Sequence, residues 1–571
     1  MIGLVATTRN GRRRAAHLAQ LWKDATLYPG KPSEALRGAW ADCDGIVVFL
    51  AAGAAVRLAA PLLADKRRDP GIVCVDDAGR YAVALAGGHA GGANELASRV
   101  AEALGAEPVI TTASESLGLQ ALDSFGAELG FEIEAGSDLA GVGAALVSGD
   151  TVRLVSDRRW PTGPLPDNVV RGTEDEPDEN ACESATARIV VSDRLVDEAG
   201  PGCVVYRPPS LVVGVGCSRG ATEDEILNLL RATLRRAGLS GKSVAALASV
   251  DVKADEPGLL RAAESLGVPV RFRGARELAG IEVPNPSSVV EGAVGTPSVA
   301  EASVIAAGAE LLVEKEKSRN ATVAIGRLPV RGKLRLVGLG PGTDALIPPM
   351  AREALARSEV VVGLEQYVER IRHLLRPGTS IVTLPLGGEI ARAERALAEA
   401  REGGSAALVS SGDVGVYAMA SPALELAGED VDVEVVPGIT AAQAAASLLG
   451  SPLGHDHCSI SLSDLLTPWE IIERRVRAAA EGDFVVSLYN PRSRGRDWQL
   501  GKVCSILLEH RPPETPVGIV KNAYRDDAEV SLTTLSDLRP EDVDMLTVVV
   551  VGSSQTKLVA GRMVTPRGYL D

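Results

Sequence analysis

The sequence predicts a multidomain α/β protein, and three observations carry that expectation. Short aliphatic runs such as IGLVAT, GIVVFLA, LVVGVGC and KLRLVGLG recur along the chain and alternate with helical patterns, as parallel strands and their crossover helices do. Hydrophobic residues fill 46% of the 571 positions but aromatics only 3%, so the cores must be built from Ala, Val, Leu and Ile. The 60 glycines supply the tight turns that many strand-to-helix junctions need. A chain of this length exceeds one core, and roughly four domains are expected.

Taken in order, IGLVAT is the first strand and GIVVFLA at 45–51 the second. The helix AAVRLAAPLLA follows, then strands IVCVD and YAVALA. The latter runs through AGGHAGGAN (86–94) into the helix ELASRVAEALGA, and PVITTASE (108–115) reads as strand then loop. These elements make a first domain at 1–135. Residues 136–210 form a small central domain, in which the acidic, turn-rich RGTEDEPDENACES (171–184) is an exposed loop. LVVGVGC (211–217) opens a third domain at 211–327, where Thr222 and Glu225 have the spacing of a capping box, as do Ser298 and Glu301. Its remaining pattern is strand SVAALASVD, helix GLLRAAESLG, strand VPVRF, a long loop, a helix and a final strand ATVAIGR. The polar, Pro-containing LPVRG (328–332) is a linker. KLRLVGLGPGTDALI then starts a new α/β unit, and 333–571 is the last domain, more strand-rich from about 457.

The net charge of −16 repels a polyanionic nucleic acid, and no basic patch interleaved with aromatics offsets it. No apolar run approaches the ~20 residues that span a bilayer. In MIGLVATTRNGRRR the basic residues follow the apolar stretch, the wrong order for a signal peptide. The seven cysteines, at 43, 74, 182, 203, 217, 458 and 504, form no CxxC pair, which argues against a disulfide framework and a structural zinc. Neither nucleic acid nor membrane is an expected partner, and cytoplasm is the default location.

Chemistry enters at three glycine-bearing turns. VGLGPG (337–342) follows a strand and precedes a helix, but Thr343 stands where a dinucleotide fingerprint needs its last glycine. In SSGDVGVYAMASP (410–422), Gly412 and Asp413 end the strand AALVS. In VEVVPGITAAQAAASLLG (433–450), Pro437, Gly438 and Thr440 lead into an Ala-rich helix. Three such loops at strand carboxyl ends would line the crevice where open α/β sheets bind ligands. Ala441 and Ala442 leave room for an adenine ring, and a carboxylate such as Asp413 suits a sulfonium cation. A nicotinamide-dependent reductase is the competing reading of these turns. In His455-Asp456-His457-Cys458, strand alternation puts both histidines on one face, but no third metal ligand is evident, and a polar substrate-facing edge is preferred.

Gly338-x-Gly340-Pro341-Gly342, then Gly412-Asp413, then Pro437-Gly438-Ile439-Thr440-Ala441-Ala442 resemble the tetrapyrrole methylase family over 334–571. HDHCSISLSDLLTPWEIIERR (455–475) and VSLYNPRSRGRDWQL (486–500) are similar to its precorrin-3B C(17)-methyltransferases. The resemblance implies a two-domain α/β fold, a homodimer, and S-adenosyl-L-methionine in the interdomain cleft. It assigns cofactor contacts to Pro341, Gly412, Asp413, Val416, Thr440 and Ala441, and further to Ala523 and to Asn490, where the family often has Met. The implied reaction methylates C(17) of a precorrin or cobalt-precorrin and contracts the ring. Orientation and a dry cleft are then the main demands, and no metal is needed. A proton relay for the contraction would draw on His455, Asp456 and Asp464. Arg492, with Arg494 and Arg496, would meet substrate carboxylates.

The N-terminal half carries a second resemblance. DKRRDPGIVCVDDAGRYAVALAGGHAGGANELA (65–97) and PVITTASE resemble the start of the cobalt-precorrin-5A hydrolases; VGVGCSRGATEDEI, ASVDVKADEPGL and VPNPSSVVEGAVGTPSVAEA resemble their C-terminal part. That family opens a lactone on a cobalt corrinoid and releases a two-carbon aldehyde. Such chemistry needs a base and oxyanion donors. His89, set between glycine pairs, is the candidate base; Asn94 and Thr112 are candidate substrate contacts, or else a helix-start residue and a loop hydroxyl. Lys66 and Lys253 could meet carboxylates. Cys217, with no evident partner base, reads as a structural thiol. A corrinoid-binding scaffold without catalysis is the alternative for this half.

Overall fold

The computed structural model describes residues 1–65, 68–88, 91–112, 117–172, 187–196, 199–493 and 495–569. The chain forms two compact units, one of Met1–Arg158 with Leu165–Val330 and one of Arg159–Pro164 with Arg331–Asp571.

The first unit holds three sheets. The N-terminal sheet runs Ala25–Leu27, Ile2–Ala6, Gly45–Phe49, Gly71–Val75, Tyr81–Ala86, Glu107–Val109, parallel except for the pairing of Gly71–Val75 with Tyr81–Ala86. Its central strands are continuous apolar runs because helices cover both faces. Leu4, Val47 and Val73 pack with Leu18 and Leu96, while Val5, Val48 and Cys74 pack with Leu36 and Ala55.

The second sheet runs Glu132–Ile133, Cys203–Arg207, Ala187–Val191, Val152–Ser156, Val169–Gly172. Arg207 is only 2% exposed, and its guanidinium donates to Glu134 Oε2 at 2.8 Å and to Ser192 O at 3.0 Å. Lys242 Nζ donates to the other Glu134 oxygen at 2.8 Å. Burial alone would raise the Glu134 carboxyl, but the hydrogen bonds from Lys242 and Arg207 outweigh it and hold it below its ordinary 4.5. The stability this supplies is complete above that value and lost as pH falls through the lower native one. Glu134→Ala leaves a buried cation without its carboxylate. It should destabilise the first unit by about 3 kcal/mol at neutral pH, with the deficit shrinking below pH 4.5 in denaturant titrations.

The third sheet runs Val270–Arg273, Val244–Val250, Leu211–Cys217, Ala321–Arg327, Glu310–Lys317. The last strand, ELLVEKEK, pairs antiparallel with Ala321–Arg327 through two register shifts. Its charged half breaks the apolar alternation, which is why no strand was expected there. Thr222 Oγ1 accepts from Glu225 N as the capping box requires, but the Glu225 carboxylate turns instead to Ser318 and Asn320. The second capping box does not form. The helix Ala300–Ala306 is capped at Val299 with no side-chain bond. The fully buried Glu301 accepts from Asn285 Nδ2 at 2.8 Å and from Lys315 N at 3.0 Å.

The second unit has a parallel sheet in the order Ser380–Thr383, Val360–Gly363, Ser405–Ser410, Lys333–Gly338, Asp432–Val436. A mixed sheet follows, His457–Ser461, Val485–Tyr489, Thr547–Val551, Pro516–Lys521, Glu529–Thr534, with a three-stranded sheet of Gly450–Ser451, Arg562–Val564 and Lys557–Val559. Arg159 belongs to this unit, where its guanidinium reaches Glu359 at 2.9 Å and Glu399 at 3.0 Å. No helix among the described residues is long and apolar enough to cross a membrane.

Candidate functional site

Lys333–Gly338 lies between the strands Ser405–Ser410 and Asp432–Val436, in a register that sets Gly338 beside Ser410 and Val337 beside Val436. The three glycine turns therefore leave the sheet side by side. Gly340 N donates to Gly412 O at 3.0 Å and Gly412 N donates to Gly340 O at 2.7 Å. Both residues have φ near +70°, which favours glycine. The third turn presses against them. A Cβ on Gly438 would stand 2.1 Å from Gly412 O and 2.9 Å from Gly338 Cα.

Asp413 joins two of the turns. Its Oδ2 accepts from Gly438 N at 3.0 Å and its Oδ1 from Gly415 N at 2.8 Å. Sequence reasoning offered this carboxylate only as a counter-charge; the geometry gives it a positioning role as well.

The mixed sheet supplies the opposite wall. Tyr489 ends the strand Val485–Tyr489, and its hydroxyl accepts from Ala442 N at 2.9 Å and lies 2.6 Å from Thr440 Oγ1. It thereby caps the helix Ala441–Leu449, whose N-cap Thr440 makes no side-chain bond of its own to the helix. Burial pushes the Tyr489 phenol up, so it stays protonated and can donate to Thr440. The Tyr417 ring lies 5.1 Å from that of Tyr489, and its hydroxyl donates to Ser459 O at 2.9 Å. Tyr489→Phe removes the cap. It should cost about 1 kcal/mol of helix-start order and weaken ligand binding in the cleft roughly fivefold, read by calorimetric titration.

Backbone strain gathers here too. Tyr417, Asn490 and Asn522, which line the cleft, and Tyr524, next to the lining residue Ala523, have φ between +48° and +61°. Non-glycine residues in that region cost of order 1–3 kcal/mol each and cluster where a site needs its backbone aimed.

Between the lobes lies a cavity of about 450 Å³. Pro341, Gly412, Asp413, Val416, Thr440, Ala441, Asn490 and Ala523, the eight residues named from sequence as cofactor contacts, all line it. Tyr417, Tyr489, Asn522, Arg525 and Met545 also line it and were missed. Strands Val485–Tyr489 and Thr547–Val551 reach the cleft through antiparallel pairing at long sequence separation, which no local pattern announces. Only the Tyr489–Asn490 pair at a strand end carried a usable signal.

His455, Asp464 and Arg492 are not among the residues lining this cleft. His455 Nδ1 lies 3.2 Å from Asp456 Oδ2 and its side chain is half exposed. Asp464 accepts from Gln499 Nε2 at 2.8 Å, and Arg492 donates to Pro540 O at 3.1 Å.

In the first unit, Asn94 and Thr112 come together, with Asn94 Nδ2 donating to Thr112 Oγ1 at 3.3 Å. Asn94 is buried, and its Oδ1 has no partner among the described residues. It begins the helix Ala93–Leu104 beside the glycine loop, where Gly91 N donates to Gly87 O and Asn94 N to Gly88 O. His89 and Lys66 lie outside the described residues. Lys253 lies in the turn Asp251–Lys253 after a strand of a different sheet, 4.0 Å from the buried Glu256. Burial holds the Cys217 thiol above its ordinary value despite Lys253, so it is not a ready thiolate.

Glycine turns at strand ends, facing a second lobe across a cleft, define the C-terminal unit as a two-lobed α/β fold with a crevice at the carboxyl ends of its strands. Residues 333–539 match the Tetrapyrrole (Corrin/Porphyrin) Methylases. The chain is 47% identical over 242 residues to the "Probable cobalt-factor III C(17)-methyltransferase" of Salmonella typhimurium, covering 41% of this chain and 99% of that protein. It is 47% identical over 247 residues to the "Cobalt-factor III methyltransferase" of Priestia megaterium, covering 42% of this chain and only 46% of that one. The crystal structure of the methyltransferase CobJ is 42% identical, with a TM-score of 0.40, over 41% of this chain and all of that one. The chain belongs to the tetrapyrrole methylase family, whose members use S-adenosylmethionine. Ahead of that domain, residues 34–115, 120–208 and 211–326 match the N-terminal, central and C-terminal regions of cobalamin synthesis G.

Proposed function

We propose that residues 333–571 methylate C(17) of a corrinoid precursor from S-adenosyl-L-methionine, with ring contraction, and that residues 1–327 open the lactone of cobalt-precorrin-5A by hydrolysis. The observation that carries the first half is the cleft itself, in which all eight expected cofactor contacts meet. When bound, S-adenosylmethionine supplies an electrophilic methyl group. The chain's part is to orient and exclude water. The Gly340 and Gly412 turns present backbone at close range, Asp413 fixes Gly438, and Tyr489 fixes Thr440 and the start of the Ala441–Leu449 helix. The relatives named above are named for cobalt-factor III, which favours a substrate of the cobalt-bearing branch.

For the hydrolytic half, the buried Asn94, whose amide oxygen has no partner among the described residues, supports a ligand contact at the glycine loop. His89, as base, and Lys66 and Thr112, as substrate contacts, belong to the same proposal, as do His455 and Asp464 for the proton relay and Arg492 for substrate carboxylates, whereas Lys253 lines a separate cavity in the third sheet. We place the protein in the cytoplasm as a homodimer. The test is purified full chain with methyl-labelled cofactor and cobalt-factor III, and separately with cobalt-precorrin-5A. Label in the ring and release of the two-carbon aldehyde are expected. Failure of label transfer removes the first half, and failure of aldehyde release the second.

A further inference from the structure

In the first unit, the third sheet opens a cavity of about 850 Å³ at the carboxyl ends of Leu211–Cys217 and Val244–Val250. Of its 20 lining residues five are cations, Arg219, Lys253, Lys315, Lys317 and Arg319, and none is acidic. The whole chain carries 75 acidic and 59 basic residues, so a wall of this size without a carboxylate runs against its composition. Cations on a surface are usually just solvated. Here one of them is not: the Lys253 side chain is 11% exposed and sits 4.0 Å from Glu256 Oε2, while the other oxygen of that carboxylate accepts from Gly220 N at 2.7 Å. At the rim, Arg219 reaches Asp255 only at 3.7 Å, with both side chains largely exposed, a pairing of little strength. Lys317 and Arg319 are exposed and make no ion pair within 4 Å among the described residues, although Arg319 lies near enough to the Glu225 carboxylate, which holds Ser318 and Asn320, to help lower its pKa.

A different stretch of the same lining is apolar. The helix Ser288–Val294 contributes Val289, Val290 and Val294, and Val289 is 80% exposed. A wide cavity with one greasy wall and a set of cations selects a ligand with an apolar body and anionic arms, because each part alone leaves the other wall unsatisfied.

We propose that residues 211–327 hold a second ligand site, distinct from the glycine loop at 86–92, for a flat apolar macrocycle carrying several carboxylates. That the macrocycle is a tetrapyrrole rests on the function proposed above; the charge and the apolar wall stand on the cavity alone. Placed on a chain that handles corrinoid acids, such a site would hold an intermediate or product between the two chemistries.

The experiment titrates the full chain with uroporphyrin, a polycarboxylate porphyrin, following its fluorescence in low salt. Wild-type chain is compared with K317E/R319E and with Val289→Asp, a substitution at an exposed position that spares the fold. Each variant should lose one binding equivalent, or bind that equivalent at least about tenfold more weakly. Benzenehexacarboxylate, which has the charges without the macrocycle, should compete at least about tenfold less well than uroporphyrin. Unchanged stoichiometry and affinity in both variants would overturn the site, and equal competition by benzenehexacarboxylate would overturn its apolar half. Aldehyde release from cobalt-precorrin-5A is measured alongside. Its absence in the wild type removes the hydrolase proposal while leaving porphyrin binding here as a separate result.

Discussion

Gly438→Ala should abolish binding of S-adenosylhomocysteine and destabilise the second unit. The added Cβ would stand 2.1 Å from Gly412 O and 2.8 Å from Gly338 C, and both of those atoms are backbone at the end of paired strands. Neither can move without pulling apart the Gly340–Gly412 bridge, whose two hydrogen bonds are 2.7 and 3.0 Å. Overpacking of this kind costs roughly 2–3 kcal/mol. In a calorimetric scan the melting of the second unit should fall by several degrees, and equilibrium dialysis should detect no ligand. Near-normal melting and binding would show that the turns have slack the geometry does not reveal.

Asp413→Asn should have the next largest effect, although the side chain keeps its shape. The carboxylate accepts from two N–H groups, Gly415 through Oδ1 and Gly438 through Oδ2. An amide has one acceptor oxygen, so in either orientation its NH2 faces one of those donors. A lost charged hydrogen bond with a donor–donor clash costs about 2–3 kcal/mol. Because Gly438 is part of the cleft floor, the loss should appear as ligand affinity reduced about 30- to 100-fold, with methyl transfer at subsaturating cofactor falling in step. Asp413→Glu should not rescue it, since the longer side chain displaces the carboxylate from both amides. Rescue by glutamate would mean that charge alone matters at this position.

The architecture was legible where its signal is local. Aliphatic runs bounded by glycine predicted Leu211–Cys217, Lys333–Gly338 and Ser405–Ser410, because a strand buried on both faces has no polar face to write into the sequence. The three turns were legible for the same reason. What was not legible is set by distance along the chain. Tyr489 and Met545 reach the cleft from the mixed sheet, and Arg159 joins the second unit from the middle of the first unit's sequence. Glu310–Lys317 was invisible because its ladder is irregular and its second half charged. Ser298 and Glu301 had cap spacing, yet burial of Glu301 against Asn285 and Lys315 N won over capping. Asp413 was visible as a charge, but its two amide partners became visible only once the turns were seen to meet.

That meeting of turns has a functional consequence. A cleft floored by backbone and closed by Tyr417 and Tyr489 holds its shape through glycine contacts and two hydroxyls, so small substitutions there should alter binding. The single most direct measurement is a crystal structure of the full chain soaked with S-adenosylhomocysteine. The nucleoside should lie between the Pro341 and Gly412 turns and Ala441, within reach of Asp413, Thr440 and Asn490. Density for the ligand at any other place, or none at a concentration that saturates binding in solution, would contradict the assignment of this cleft.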